Sequence, residues 1–376
     1  MFPTLKKLLD SFLPMGLNGF DIVIYKDGQC VWRYQNGFSD AALKTPYTGQ
    51  ERYNIYSCSK VITVTAAMQL LEKKLFSLDD PLYLYMPEFE KMTVCAGDEV
   101  VPAKNFIRIR DLFCMTAGFT YNKDTVNIQQ GIKDTNGRAP TREMMKYLAK
   151  DPLAFEPGTQ WRYSLCHDVL AALVEVVSGE LFEDYVQKHI FQPLGMTHST
   201  FVLPEAERPA LAAQYRFNNE CKEAVDCGRG NSYMFGSEYA SGGAGCVTTV
   251  DDYIRFAEAL RVGDVILGKD ATRLMTTDQL SDATRPFYSM KERHGYGLGV
   301  RCPKEGGWRQ DFGWGGAAGA YLAIHPAENM SIFYAQHMLN SPHQPLRNFF
   351  IDCMYKDLHP DKALPDSAMA DAGLTY

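Results

Sequence analysis

The chain is expected to fold as an α+β protein, with one antiparallel sheet flanked by helices and a mainly helical domain inserted into it. Three observations predict this. Short β-branched and aromatic runs separated by turn residues lie near both ends, at 20–34 and 296–336. Helical spacing of apolar residues dominates the middle. The Lys26-Asp27-Gly28 turn joins two adjacent strand-like runs, which makes their pairing antiparallel. The sheet-containing part is assigned to residues 1–75 together with 290–376, the helical part to 76–289, and a cleft is expected between them.

In order, Leu5, Leu8, Leu9, Phe12 and Leu13 mark one face of a short amphipathic helix. Residues 20–25 and 29–34 form a hairpin. From Ser57 to Leu75, apolar residues at 61, 64, 68, 71 and 75 have helical spacing, and Asp79-Asp80-Pro81 follows as a stop. Residues 168–177 are helical, with Gly179 as the closing glycine. Thr249 caps a helix running through Tyr253, Phe256 and Leu260. Strands are predicted at 296–301, 320–324 and 331–336, a final helix at 346–358, and a loose tail at 365–376.

Composition excludes several classes. With 376 residues, 46% of them apolar and 22% charged, the chain is neither disordered nor fibrous. Lys and Arg number 38 against 45 Asp and Glu, a net charge of −7, and no basic run is present. No nucleic-acid partner is therefore expected. The ten cysteines include no C-x-x-C and mostly sit in apolar surroundings, so they read as reduced thiols. No zinc spacing and no H-E-x-x-H occur, and neither a metal nor an organic cofactor is expected. The first residues lack an uninterrupted apolar run, and no stretch approaches the roughly 18 apolar residues of a membrane span. The expected location is the cytoplasm.

The sharpest local feature is Ser57-Cys58-Ser59-Lys60, which holds the chain's one Ser-x-x-Lys. At a helix start this spacing puts a hydroxyl and an amine one turn apart on one face. A serine hydroxyl becomes a useful nucleophile when a neighbour takes its proton, and a desolvated lysine can do so. The plainer reading is a helix cap and a solvated lysine. Gly263 to Asp270 fits most of a phosphate loop, but Asp270 stands where Ser or Thr is needed and a helix precedes it. His167-Asp168 suggests a triad, yet adjacent residues on a helix diverge, so packing or capping is expected. His337 reads as a strand-end residue, and Tyr121, Tyr215, Tyr233 and Tyr239 include candidates for lining the pocket.

Residues 53–60 resemble the nucleophile segment of class C β-lactamases, D-alanyl-D-alanine carboxypeptidases and family VIII carboxylesterases. Further segments match in order: residues 75–81 with 86–89, 107–118, Pro157-Gly158-Thr159 leading to Tyr163-Ser164, and Ser241 to Gly245 before Thr249. The resemblance covers roughly residues 5–356 and implies a β-lactamase/penicillin-binding-protein-like fold. It implies that Ser57 is acylated, that Lys60 is its partner, and that Tyr163 shuttles protons, with Lys60 stabilising the phenolate. Phe312 to Gly319 occupies the place of the third motif, so Trp314, Gly315, Gly316 and Ala317 would bind substrate. The backbone N–H groups of Ser57 and Ala317 would then form the oxyanion hole.

The chain departs from the pattern at four places. Trp314 stands where β-lactamases have a cation, Leu165 where the second motif has Asn, and Met115 and Ala117 replace His and Ser. These changes predict a more apolar site and favour a small or medium apolar carboxylic ester over a lactam or an amide. The expected partner is thus a small-molecule ester or amide, with ester preferred. Three alternatives stay open: an acyltransferase passing the acyl group to an alcohol or amine, a β-lactamase or D,D-peptidase, and a non-catalytic receptor on the same fold.

Overall fold

The computed structural model describes residues 1–362, and the tail predicted at 365–376 lies outside them. The N-terminal helix α1 (Pro3–Asp10) buries Leu5, Leu8 and Leu9. Strands β1 (Gly19–Lys26) and β2 (Gln29–Asp40) form the expected hairpin, followed by the short β3 (Thr45–Pro46). Helix α2 (Ser59–Glu72) follows β3, and the inserted segment contributes helices α3 (Cys166–Ser178) and α4 (Val250–Val262). The chain returns with β4 (Tyr321–His325), β5 (Met330–Ala335) and helix α5 (Phe350–Leu358). Spatial order in the main sheet is β4-β5-β1-β2-β3, antiparallel throughout, so the two ends of the sequence meet at β5 and β1.

Alternation along these strands produces three layers. Ile22, Ile24, Ile332 and Tyr334 pack with Leu5, Leu9 and Phe350 of α1 and α5. Val23, Phe333 and Leu322 face the other way, into the larger core that holds α2, α3 and α4. Tyr253 of α4 meets Phe333 at 4.3 Å between ring centroids. Helix α4 therefore lies against the sheet although its residues fall within 76–289.

Helix α2 is buried on every side from Ser59 to Leu70. A helix enclosed all round sits in the centre of a packed layer rather than on its surface. Both caps expected from the sequence form. Thr249 Oγ1 accepts from the Asp252 N–H at 3.1 Å, and Gly179 closes α3 at φ +73°.

Three predicted elements differ. The strand expected at 296–301 folds back on itself, with Gly295–Tyr296 paired to Arg301–Cys302. The Gly297 N–H donates to Val300 O at 2.9 Å and Gly299 takes φ +79°, so two glycines convert a strand-like run into a turn. The helix expected to reach Leu75 ends at Glu72. The final helix opens as a 3-10 turn, Gln344–Phe349, with Pro345 in its first turn, and becomes α-helical only at Phe350. Among the described residues no helix is long and apolar enough to cross a membrane.

Candidate active site

Ser57 lies in a 3-10 turn, Tyr56–Cys58, immediately before α2, and Cys58 holds the cap position. The neighbouring Ser59 does the structural work. Its Oγ donates to Tyr56 O at 2.5 Å and accepts from the Cys246 N–H at 2.9 Å. The helix-capping reading of Ser57 thus fails, and its hydroxyl faces an open cleft of about 610 Å³. Tyr56 is held at φ +47°, a region that costs a non-glycine residue on the order of 1–3 kcal/mol. It is kept there by burial and by an Oη donation to Gln214 Oε1 at 2.7 Å.

Lys60 is 0% exposed. Its Nζ lies 3.2 Å from Ser57 Oγ, 3.1 Å from Tyr121 Oη and 2.6 Å from Gly243 O. The carbonyl can only accept, so one Nζ–H is committed there. The expected pairing of Ser57 with Lys60 is therefore present, and the solvated-lysine reading is excluded.

Tyr163 reaches the same cleft in a different manner from that expected. Lys60 Nζ sits over its ring, 4.6 Å from the centroid, rather than at its oxygen. The Tyr163 hydroxyl accepts instead from Trp314 Nε1 at 3.3 Å, and the two rings stack at 5.8 Å. On the other side Tyr163 stacks on Tyr121 at 5.4 Å, with Tyr233 edge-on to Tyr121. Burial raises the Tyr121 phenol well above its ordinary pKa, so it stays protonated.

The Phe312 to Gly316 run pairs with β4. Phe312 and Ile324 exchange N–H···O bonds of 2.9 and 2.8 Å, and the Leu322 N–H donates to Trp314 O at 2.9 Å. The turn back spends the Gly316 N–H on Ala320 O at 2.7 Å. Gly316 is required by close approach: a Cβ there would stand 2.2 Å from Ile55 O, two residues before Ser57. This contact sets Ala317 beside Ser57 on the cleft wall.

The four departures predict a more apolar site, and the structure adds charged groups to its lining. Of the four departures, Trp314 reaches the cleft, whereas Leu165, Met115 and Ala117 are buried beneath it. The lining also includes Arg301 and Arg347, which sequence reasoning missed. Arg301 pairs with Asp311 at 2.5 Å, and Arg347 donates to the carbonyls of Gly316 and Ala320 at 3.1 and 2.7 Å. Neither carries a local motif, since pairing and carbonyl contacts arise from segments far apart in sequence.

The other candidates sort as follows. Tyr121 and Tyr233 line the cleft, while Tyr215 and Tyr239 are core residues. His337 is buried; it accepts the Asn54 N–H at Nε2 (3.3 Å), and Nδ1 faces Ala212 O at 2.9 Å. His167 turns to Phe113 O and Asp168 to Ser241, so no triad forms with Ser57. At the phosphate-loop-like segment, Asp264 takes the Lys269 N–H and pairs with its ammonium. Among the described residues no cluster of His, Cys, Asp or Glu could hold a metal.

A sheet assembled from both chain ends, with a Ser-x-x-Lys pair at the head of a buried helix, defines a class, and the sequence comparison agrees. The Beta-lactamase family model matches residues 11–351, and the chain belongs to that family of serine hydrolases. Among curated relatives, esterase EstB of Burkholderia gladioli is 28% identical over 315 residues, covering 78% of this chain and 74% of its own. The same fold occurs in EstCE1, "a hydrolase with promiscuous acyltransferase activity", with a TM-score of 0.75, 24% identity, and coverage of 94% of this chain and 97% of its own. It also occurs in simvastatin synthase LovD from Aspergillus terreus, with a TM-score of 0.77, 21% identity, and coverage of 94% and 97%.

Proposed function

We propose that the protein is a serine hydrolase acting on small or medium carboxylic esters through an acyl-enzyme on Ser57. The observation that carries this reading is the contact between Ser57 Oγ and a fully buried Lys60 Nζ at 3.2 Å, inside the cleft walled by Trp314 and Ala317. With one N–H held by Gly243 O and another directed to Tyr121 Oη, Lys60 Nζ is placed to take the Ser57 proton as Oγ bonds to the substrate carbonyl carbon. The Ser57 and Ala317 N–H groups receive the developing oxyanion, each donor contributing roughly 3–4 kcal/mol to the transition state. Tyr163, its oxygen held by Trp314, returns a proton to the departing alkoxide. Water then attacks the acyl carbonyl and gives one proton to the Tyr163 phenolate, and Lys60 returns its proton to Ser57 Oγ as the carboxylic acid leaves.

Intact-mass measurement after fluorophosphonate treatment tests the reading. One adduct on the native chain and none on Ser57→Ala is expected, together with hydrolysis of p-nitrophenyl acetate that the variant lacks. An equal mass gain in both chains would overturn it. Acyl transfer shares the acyl-enzyme, and the open cleft leaves room for an acceptor alcohol. Ester product formed in the presence of added alcohol would show that branch.

A further inference from the structure

Asp168 has no part in the reaction outlined above, yet it is a carboxylate 1% exposed and within electrostatic reach of Lys60. Its Oδ1 accepts from Ser241 Oγ at 2.6 Å and from Tyr239 Oη at 3.1 Å. Ser241 in turn organises the glycine-rich turn, taking the Ala244 N–H on Oγ (3.0 Å) and the Gly245 N–H on its carbonyl (2.8 Å). That turn delivers Gly243 O to Lys60 Nζ. Asp168 Oδ2 faces the backbone of the same turn at Gly243, since a Cβ on Gly243 would lie 2.5 Å from it and 3.1 Å from Tyr121 Oη. A buried charge without a counter-ion is costly, and Lys60 is the cation on this side of the core.

We infer that Asp168 is a positioning residue for the serine-hydrolase reaction, holding the Ser241–Gly245 turn against Lys60 and supplying a buried negative charge beside the Ser57–Lys60 pair. The proposal rests on the hydrolase reading above. The other titratable groups around the pair do not change charge over the working range. Burial lowers His167 to about 3 and raises Cys58 and Cys166 to about 12. It also raises Tyr121 and Tyr239 well above the ordinary phenol value. Burial raises the Asp168 pKa too, opposed by the Ser241 hydrogen bond and by Lys60. The Tyr163 ring covers the remaining side of Lys60. Deleting that negative charge disfavours protonation beside it, so the pH limb of Ser57 labelling moves to lower pH.

The test is the pH dependence of Ser57 labelling by a fluorophosphonate, read by intact mass on the native chain and on D168N, with ester turnover measured in parallel. The amide of this variant keeps an acceptor for Ser241 and Tyr239 while the charge is deleted. The expected result is a limb displaced downward by about one pH unit; superimposable profiles would overturn the proposal. Should D168N not fold, S241A removes one anchor of the turn, and labelling is expected to slow about ten-fold at every pH. Unchanged labelling in S241A overturns the proposal as well. Absence of Ser57 labelling in the native chain would sink the hydrolase reading itself, and the native control separates that result from failure of Asp168 alone.

Discussion

The Tyr121 hydroxyl lies 3.1 Å from Lys60 Nζ, whereas Tyr163 offers Lys60 the face of its ring at 4.6 Å. Two stacked phenols therefore have different duties. Tyr121 orients the amine, and Tyr163 presents a hydroxyl to the cleft. Y121F should lower kcat on p-nitrophenyl acetate about ten-fold, the loss of one hydrogen bond. Y163F should cost about a hundred-fold or more, as expected for a group that moves a proton. Steady-state kinetics of both variants decide the matter, and a larger loss in Y121F would reverse the assignment.

Trp314 replaces a cation in the third motif, and its indole N–H fixes the Tyr163 oxygen at 3.3 Å. W314F preserves an aromatic face for stacking and deletes the donor. The expected result is kcat reduced about ten-fold with KM little changed. A rise in KM at constant kcat would instead mark Trp314 as a substrate-binding wall alone.

Gly316 packs on the Ile55 carbonyl, two residues before Ser57. G316A must displace Ile55 O, which a Cβ would approach to 2.2 Å, and the carbonyl is backbone that cannot swing aside. Overpacking of this kind costs about 1–3 kcal/mol and separates Ala317 from Ser57. Thermal melting and activity should therefore fall together. Full activity in G316A would show that the third-motif turn does not need this approach.

Acid should destabilise the fold through buried histidines. Burial lowers His337 from 6.5 to about 4. Between those values the unfolded chain binds a proton that the folded chain refuses, so stability is complete above pH 6.5 and is lost as pH falls toward 4. The slope is about 1.4 kcal/mol per pH unit for this one side chain. Urea denaturation at pH 7, 6 and 5 should show it, and H337Q, which retains a donor and an acceptor, should flatten it. An identical slope in the variant would remove His337 from the account.

Several parts of the site were legible because they are local. Ser-x-x-Lys puts two groups one helical turn apart whatever the rest of the chain does, and capping residues such as Thr249 and Gly179 act within a few residues. The strand misread at 296–301 shows the limit of such patterns. Its residues alternate like a strand, but Gly297 and Gly299 permit the chain to turn, and pairing of Tyr296 with Arg301 is what selects it. His167 and Asp168 were expected to pack or cap. Only the approach of Ser241 and Gly243, some seventy residues later, joins the Asp168 carboxylate to the turn that holds Lys60.

The sequence by itself determined the fold class and set the Ser57 hydroxyl and the Lys60 amine one helical turn apart, because spacing along one chain acts through backbone geometry. Tertiary structure decided the environment: which tyrosine oxygen meets Lys60, that Tyr163 offers it a ring face, and that two guanidinium groups join the aromatic lining of the cleft. Those outcomes depend on how distant segments share one buried volume, where angstrom-scale packing settles which groups touch.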